Sequence, residues 1–436
     1  MTVTTTSRII HPAGNLKGEL IPPPDKSITH RAVIFASLAS GPSRVVRPLI
    51  ADDCERTAEA FRSLGVSMET DRRGDWIILG KGMNGLERPA ESVYCGNSGT
   101  TMRLLTGVLS GQPFEVTLMG DASLSRRPMD RVVLPVRQMG AQVRAQDNKF
   151  APLVIQGKRP LDAMEWKTPV ASAQVKSCVL LAGLYADGVT VVEEPYQSRD
   201  HTERMMSAAG IQLDIQGTRV GIRGGQSLQP REWVVPSDLS SAAFFIVASL
   251  LLPGSEVLLR NVGVNPTRDG LLEVMQQMGV LIKRNDQRVI GGEPIADLLV
   301  THSPLKSVKI EPEIMPRLID EIPIIAVAAT QAEGITEIRG AQELRVKESD
   351  RLAHCTTELR KMGAHIEERP DGLVIEGPTP LIGATVNSFE DHRMAMSLAV
   401  AGLIARGETV IQNADCVDIS FPTFWDDLEK LRNRVV

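Results

Sequence analysis

The sequence has no C-x-x-C pair, and its five cysteines, Cys54, Cys95, Cys178, Cys355 and Cys416, are odd in number and widely spaced. That excludes a zinc-ribbon site and a disulfide framework, and leaves reduced core thiols in a cytoplasmic protein. The seven histidines show no metal-ligand spacing, so neither a metal nor any other cofactor is expected. Positive charge is not in excess either: 48 Lys and Arg against 53 Asp and Glu give a net -5, which argues against bulk nucleic-acid binding while permitting a locally basic cleft. The longest apolar run, 242–252, stops at Pro253 and is too short to span a bilayer. The start, M-T-V-T-T-T-S-R, lacks the apolar segment of a signal peptide, so neither membrane insertion nor export is expected. No G-x-x-x-x-G-K-[ST] is present, which removes a P-loop kinase. A G-x-G-x-x-G does occur at Gly80, Gly82 and Gly85, but L-E-R-P follows where a long helix should open, and it reads as a turn.

What is present is length and repetition. At 436 residues, with 42% of them hydrophobic and only 4% aromatic, the chain is too long for one ordinary core, so at least two domains are expected. Five amphipathic stretches, 52–64, 127–139, 200–209, 266–278 and 349–362, each run into a glycine, at Gly65, Gly140, Gly210, Gly279 and Gly363. Each glycine reads as a left-handed cap ending a helix. A second kind of helix, apolar nearly all round and therefore buried, recurs six times at 30–40, 101–110, 175–186, 241–252, 321–332 and 393–405. These six stop at Gly41, Gly111, Gly188, Gly254, Gly334 and Gly407, and β-branched runs follow. Six copies of one α/β unit are expected, three to a domain. The last copy has no strand pair behind it, whereas Ile9-Ile10 and Leu20-Ile21 stand unclaimed at the start, so the N-terminal strands are expected to complete the sixth unit. The domains are then 24–236, and 1–23 with 237–436. The chain crosses between them twice, near Pro22-Pro23-Pro24 and Pro236, where prolines restrain a hinge that opens and closes a central cleft.

Polar residues collect at the starts of the buried helices: P-D-K-S-I-T-H-R at 24–31, G-N-S-G-T-T-M-R at 96–103, A-S-A-Q-V-K-S at 171–177, I-D-E-I-P at 319–323 and E-D-H-R at 390–393. Helix N-termini offer unpaired N–H groups and a positive dipole end, and Gly99 allows an anion close to the backbone. The amphipathic helices add Arg127, Arg199 and Arg351 at their own starts. The densest run is L-R-V-K-E-S-D-R at 344–351, where Ser349 or Asp350 caps a helix, Arg351 enters its first turn, and Lys347 and Glu348 project beside the positive end. Together these point to a site for small molecules bearing several phosphates or carboxylates. Asp320 and Glu348 stand among the cations as acid/base candidates.

These motifs, with G-D-A-S-L-S-R-R-P-M, S-R-D-H-T-E-R and D-H-R-M-A-M, resemble those of the 5-enolpyruvylshikimate-3-phosphate synthase family along essentially the full chain. The resemblance implies an inside-out α/β barrel fold, two domains each of three βαβαββ repeats around buried parallel helices. It implies transfer of the enolpyruvyl group of phosphoenolpyruvate to the 5-hydroxyl of shikimate 3-phosphate through a tetrahedral intermediate, in a cytoplasmic monomer that needs neither nucleic acid nor membrane. Carried over by motif, Lys26, Gly99, Arg127, Gln174, Arg351 and Arg393 hold phosphoenolpyruvate. Lys26, Ser27, Arg31, Ser172, Ala173, Gln174, Arg199, Asp320 and Lys347 hold shikimate 3-phosphate. Catalysis falls to Asp320 for the hydroxyl proton, Glu348 for the methylene proton and Lys26 for phosphate departure.

Ser98, Glu343, R-P-M-D-R-V and Ile419, which stands where a lysine is familiar, resemble the family's second branch. Gly99 keeps a small residue where glyphosate-tolerant members often carry alanine, so glyphosate is expected to compete. Two rivals remain: the sister carboxyvinyltransferase acting on UDP-N-acetylglucosamine, whose reactive cysteine has no counterpart between Gly120 and Pro128, and a non-catalytic anion-binding protein.

Overall fold

A computed structural model of the chain describes residues 6–432. Residues 1–5, which begin the stretch read for a leader, and 433–436, which end the second expected domain, lie outside the described residues.

Six helices are buried almost throughout, α1 (Lys26–Leu38), α3 (Gly99–Ser110), α5 (Ala173–Gly183), α7 (Leu239–Leu251), α10 (Ile322–Ala329) and α12 (His392–Ile404). Between them come the amphipathic helices α2 (Asp52–Ser63), α4 (Asp130–Gln138), α6 (His201–Ala208), α8 (Gly270–Gln277) and α11 (Arg351–Lys361). A short α9 (Met315–Leu318) precedes α10, and α13 (Phe424–Arg432) follows α12.

Four of the buried helices begin two to four residues earlier than the apolar pattern suggests, and α12 begins one residue earlier, because polar caps set their ends. Asp25, Ser98, Ser172, Asp238 and Asp391 each accept a backbone N–H of the first turn. Lys26 and Ser27 therefore lie inside α1. The α4 expectation fails in the other direction. Pro128 forces Arg127 into extended backbone, φ -83 and ψ 136, so the helix cannot open until Asp130.

The glycines that end the amphipathic helices are left-handed at Gly65, Gly140, Gly210, Gly279 and Gly363, with φ between 87 and 94. Among the stops of the buried helices, Gly111 caps α3 at an ordinary turn φ of -91, whereas Gly41, Gly188, Gly254, Gly334 and Gly407 have positive φ. Gly107 serves packing instead, since a Cβ there would lie 2.2 Å from the Cys178 carbonyl where α3 meets α5.

Five of the repeats pair a short parallel strand with an antiparallel hairpin. In the second repeat, Val93–Tyr94 lies parallel to Glu115–Met119, which pairs with Phe150–Gln156 and, beyond it, Gln142–Gln146. The N-terminal strands do not both serve the sixth repeat. Ser7–Ile10 does, antiparallel to Thr409–Gln412, whereas Lys17–Leu20 runs parallel to Glu256–Gly263 in the fourth repeat.

The chain falls into two compact units. The first is Pro24–Pro236 together with Val289–Glu293; the second comprises the remaining described residues. The backbone thus passes between units four times instead of two, because the tip of the hairpin between Lys283–Ile290 and Glu293–Thr301 counts with the first. In the first unit α1, α3 and α5 form the interior with Phe35, Phe61 and Trp76 among the largest buried side chains. In the second, α7, α10 and α12 do so, with the rings of Phe245, Phe421 and Phe424 packed against one another at tilted to edge-on angles. No helix among the described residues is long and apolar enough to cross a membrane.

Candidate active site

The first unit gathers its cations around the starts of α1, α3 and α5. Lys26 Nζ lies 2.8 Å from Asp53 Oδ2. Arg31 is buried, and its guanidinium donates to the Ser27 carbonyl, Ser177 Oγ and Thr202 Oγ1 at 2.7–2.9 Å. With neutral oxygens as its direct partners, burial lowers it to about 10. Arg103 Nη1 donates to Gln174 Oε1 at 2.6 Å, and Gln174 Nε2 donates on to Thr100 Oγ1 at 2.9 Å. Arg127 donates to the Asn97 side chain and to Ser123 Oγ. Gly99 sits where this set is tightest: a Cβ there would come within 2.9 Å of Arg103 Nη1. Ser172 caps α5, Ala173 and Gln174 open it, and the half-buried Arg199 lies just before α6.

Beneath these groups runs a buried hydroxyl relay, His30 Nδ1 to Thr57 Oγ1 to Thr101 Oγ1 to Ser98 Oγ, at 2.7–2.8 Å per step. Burial holds the His30 imidazole down at about 3, so it is neutral here at ordinary pH.

The second unit assembles a different set. The run 344–351 forms a 3-10 turn, Gln342–Val346, and then α11, with Asp350 rather than Ser349 as cap, accepting from Ala353 N–H at 3.1 Å. Arg351, 1% exposed, forks onto Asp391, Nε to Oδ2 at 2.8 Å and Nη2 to Oδ1 at 3.2 Å, and also donates to Glu348 Oε2 at 2.7 Å. Burial would lower its pKa, but Asp391 and Glu348 outweigh burial and raise it. In return, Arg351 keeps the fully buried Asp391 below the usual carboxylate range despite its burial. Asp320, in a 3-10 turn before α10, lies 3.5 Å from both Lys347 Nζ and Arg351 Nη1 and 4.0 Å from Arg393 Nη2, while its backbone carbonyl accepts from Arg393 Nη1 at 3.2 Å. Glu321 is buried between Arg393, 3.6 Å away, and Arg268, 3.2 Å away.

Within the second unit Asp320, Lys347, Glu348, Arg351 and Arg393 thus form one cluster. Within the first, Gly99 and Gln174 lie against Arg103, Arg127 is held by Asn97 and Ser123, and Lys26, Ser27 and Arg31 share α1. Sequence reasoning assigned no role to Asp391, Arg103, Glu321 or Arg268. The first three stand in quoted motifs, E-D-H-R, G-N-S-G-T-T-M-R and I-D-E-I-P, but their partners are 40, 71 and 53 residues away, beyond any local signal. All five cysteines are free thiols, and no group of three or more potential metal ligands occurs among the described residues.

The family model described as EPSP synthase (3-phosphoshikimate 1-carboxyvinyltransferase) matches residues 10–428. A 3-phosphoshikimate 1-carboxyvinyltransferase from Geobacter sulfurreducens is 50% identical over 426 residues, 97% of this chain and 99% of that protein. One from Endomicrobium trichonymphae is 49% identical over 95% of this chain and 97% of its own length. The solved EPSP synthase from Acinetobacter baumannii superimposes with a TM-score of 0.88 at 42% identity, covering 98% of both chains.

Proposed function

The chain belongs to the EPSP synthase family, and from that premise we infer how its residues divide the reaction. The activity is transfer of the enolpyruvyl group from phosphoenolpyruvate to shikimate 3-phosphate in the shikimate pathway. In our reading Lys26, Ser27, Arg31, Ser172, Ala173, Gln174, Arg199, Asp320 and Lys347 hold shikimate 3-phosphate, with Arg199 and Ser172 toward its phosphate, whereas Lys26, Gly99, Arg127, Gln174, Arg351 and Arg393 hold phosphoenolpyruvate. Residues of both units serve one reaction, and the chain works as a cytoplasmic monomer.

One observation carries the division of chemistry: Asp320 lies at 3.5 Å from two cations, Lys347 and Arg351, in the cluster that also holds Glu348. Neighbouring cations favour an ionised carboxylate, the form that can take the proton of the 5-hydroxyl as it attacks. Glu348 starts on Arg351, a contact that also favours its ionised form. An arriving phosphoenolpyruvate anion competes for that guanidinium, and a displaced Glu348 can then take up the proton it passes to the methylene carbon. Lys26 assists phosphate as it leaves the tetrahedral intermediate. Glyphosate competes with phosphoenolpyruvate, because Gly99 leaves the small space beside Arg103 open.

The test is phosphate release from phosphoenolpyruvate by the chelator-treated protein, with shikimate 3-phosphate or UDP-N-acetylglucosamine as acceptor. Release with shikimate 3-phosphate alone is expected. Release with the nucleotide sugar alone overturns the acceptor assignment, and release with neither overturns catalysis.

A further inference from the structure

The first unit contains a buried ionic triad that the reaction as assigned above does not use. Lys176 Nζ, on α5, lies 2.8 Å from Glu194 Oε2 and 2.8 Å from Glu203 Oε1, and all three side chains are at most 4% exposed. Burial would lower the Lys176 ammonium, but Glu203 and Glu194 outweigh it and keep its pKa above the ordinary value. Such a triad is costly to bury and needs a reason beyond stability.

The reason lies in what else Glu194 touches. Its Oε1 accepts the backbone N–H of Ser172 at 2.8 Å, which orients the residue that caps α5. Its Oε2 accepts the Ser198 hydroxyl at 2.8 Å and the Ser198 N–H at 3.4 Å, while the Ser198 carbonyl accepts from Lys176 at 3.4 Å. All three polar groups of Ser198 are therefore fixed immediately before Arg199. One carboxylate thus ties the start of α5, with the N–H groups of Ala173 and Gln174, to the segment carrying Arg199. A bare carboxylate so near a phosphate subsite would repel the phosphate, and Lys176, shared with Glu203, offsets part of that charge from α5 itself.

We propose that Glu194, paired with Lys176, is a positioning residue that sets the spacing between Ser172 and Arg199 for the phosphate of shikimate 3-phosphate. This rests on the reading that Ser172 and Arg199 receive that phosphate. Glu203 is the internal control. It belongs to the same triad, but its described ion pair, to Lys176, does not reach Ser172 or Ser198, and its Oε2 has no hydrogen-bond partner among the described residues.

The experiment compares the full-length protein with Glu194→Gln, Glu194→Ala and Glu203→Gln, measuring kcat, KM for each substrate and the thermal midpoint. It adds calorimetric binding of shikimate 3-phosphate and of shikimate, which lacks the phosphate. Glu194→Ala is expected to raise KM for shikimate 3-phosphate at least tenfold, with KM for phosphoenolpyruvate and affinity for shikimate within about twofold of the parent. Glu194→Gln, which keeps an acceptor for Ser172, recovers part of that loss. Glu203→Gln lowers the thermal midpoint and leaves KM for shikimate 3-phosphate unchanged. The proposal is overturned if Glu194→Ala changes both KM values in parallel, if shikimate binding falls as much as shikimate 3-phosphate binding, or if Glu203→Gln reproduces the Glu194 effect. Should Glu194→Ala not fold, the same comparison is made on Glu194→Gln. A parent protein that neither binds nor turns over shikimate 3-phosphate refutes the underlying functional reading instead, a result visible before any variant is made.

Discussion

Arg31 and Arg351 are both buried in helices that open a polar cluster, one in each unit, and their partners send their pKa values in opposite directions although burial lowers both. Arg31 donates to a carbonyl and two hydroxyls, and its pKa falls to about 10. Arg351 donates to two carboxylates and its pKa rises. The difference separates two ways of building a cationic site. In the first unit the hydrogen bonds of Arg31 end on a carbonyl and two hydroxyls, so its guanidinium is oriented by neutral groups. That suits holding an anion. In the second unit carboxylates are interleaved with the cations, so a proton can be taken or given without stranding charge. That suits chemistry.

The comparison breaks most sharply at Asp320. Asp320→Ala is expected to cut kcat by about 100-fold or more, within the range for a lost general base, with binding of both substrates largely retained. A fall of less than about tenfold, roughly 1.4 kcal/mol of barrier, ends the base assignment.

Stability is the next test. Arg351→Met strands Asp391, which is 0% exposed, and is expected to cost about 3–5 kcal/mol in denaturant unfolding. Arg31→Met leaves Ser177 and Thr202, already 2.6 Å apart, to satisfy each other, and should cost about 1–2 kcal/mol. Equal losses would erase the distinction between the units.

Acid separates them by range. The folded first unit refuses a proton at His30 until about pH 3, whereas the unfolded chain accepts one near 6.5. Stability is therefore lost as pH falls below about 6.5, by roughly 1.4 kcal/mol per unit. The lowered pKa of Asp391 contributes stability that is present above the ordinary carboxylate value and is lost only as pH falls through its depressed one. Hydrogen exchange followed peptide by peptide from pH 7 to 4 should show α1 losing protection before α12, and His30→Gln should flatten the α1 response. The smallest effect is expected from Gly99→Ala. Its Cβ displaces the flexible tip of Arg103, raising KM for phosphoenolpyruvate about tenfold or less, about 1.4 kcal/mol at most, with little change in thermal midpoint.

Glycine punctuation and apolar periodicity made the six repeats legible, because a left-handed cap and a buried helix each leave a local mark. Strand partnership leaves none. Lys17–Leu20 looks no different for pairing with residues near 258 than for joining Ser7–Ile10 at the sixth repeat. The cap residues were legible as types, yet the apolar pattern placed helix starts too late, since a polar first turn hides Lys26 and Ser27 from it. The amphipathic pattern alone puts Arg127 in a helix, whereas Pro128 keeps it extended. At the site, residue types were legible and pairings were not: nothing near Asp391 announces Arg351.

The division of the second unit between the two ends of the chain also orders events in time. Ser7–Ile10 meets its partner, Thr409–Gln412, only after about 400 further residues have been made, roughly 20–80 s of synthesis. The first unit is continuous from Pro24 to Pro236 and, apart from a hairpin tip at Val289–Glu293, complete well before then. One unit can mature while the chain is still growing, and the other closes only when the tail returns to the head.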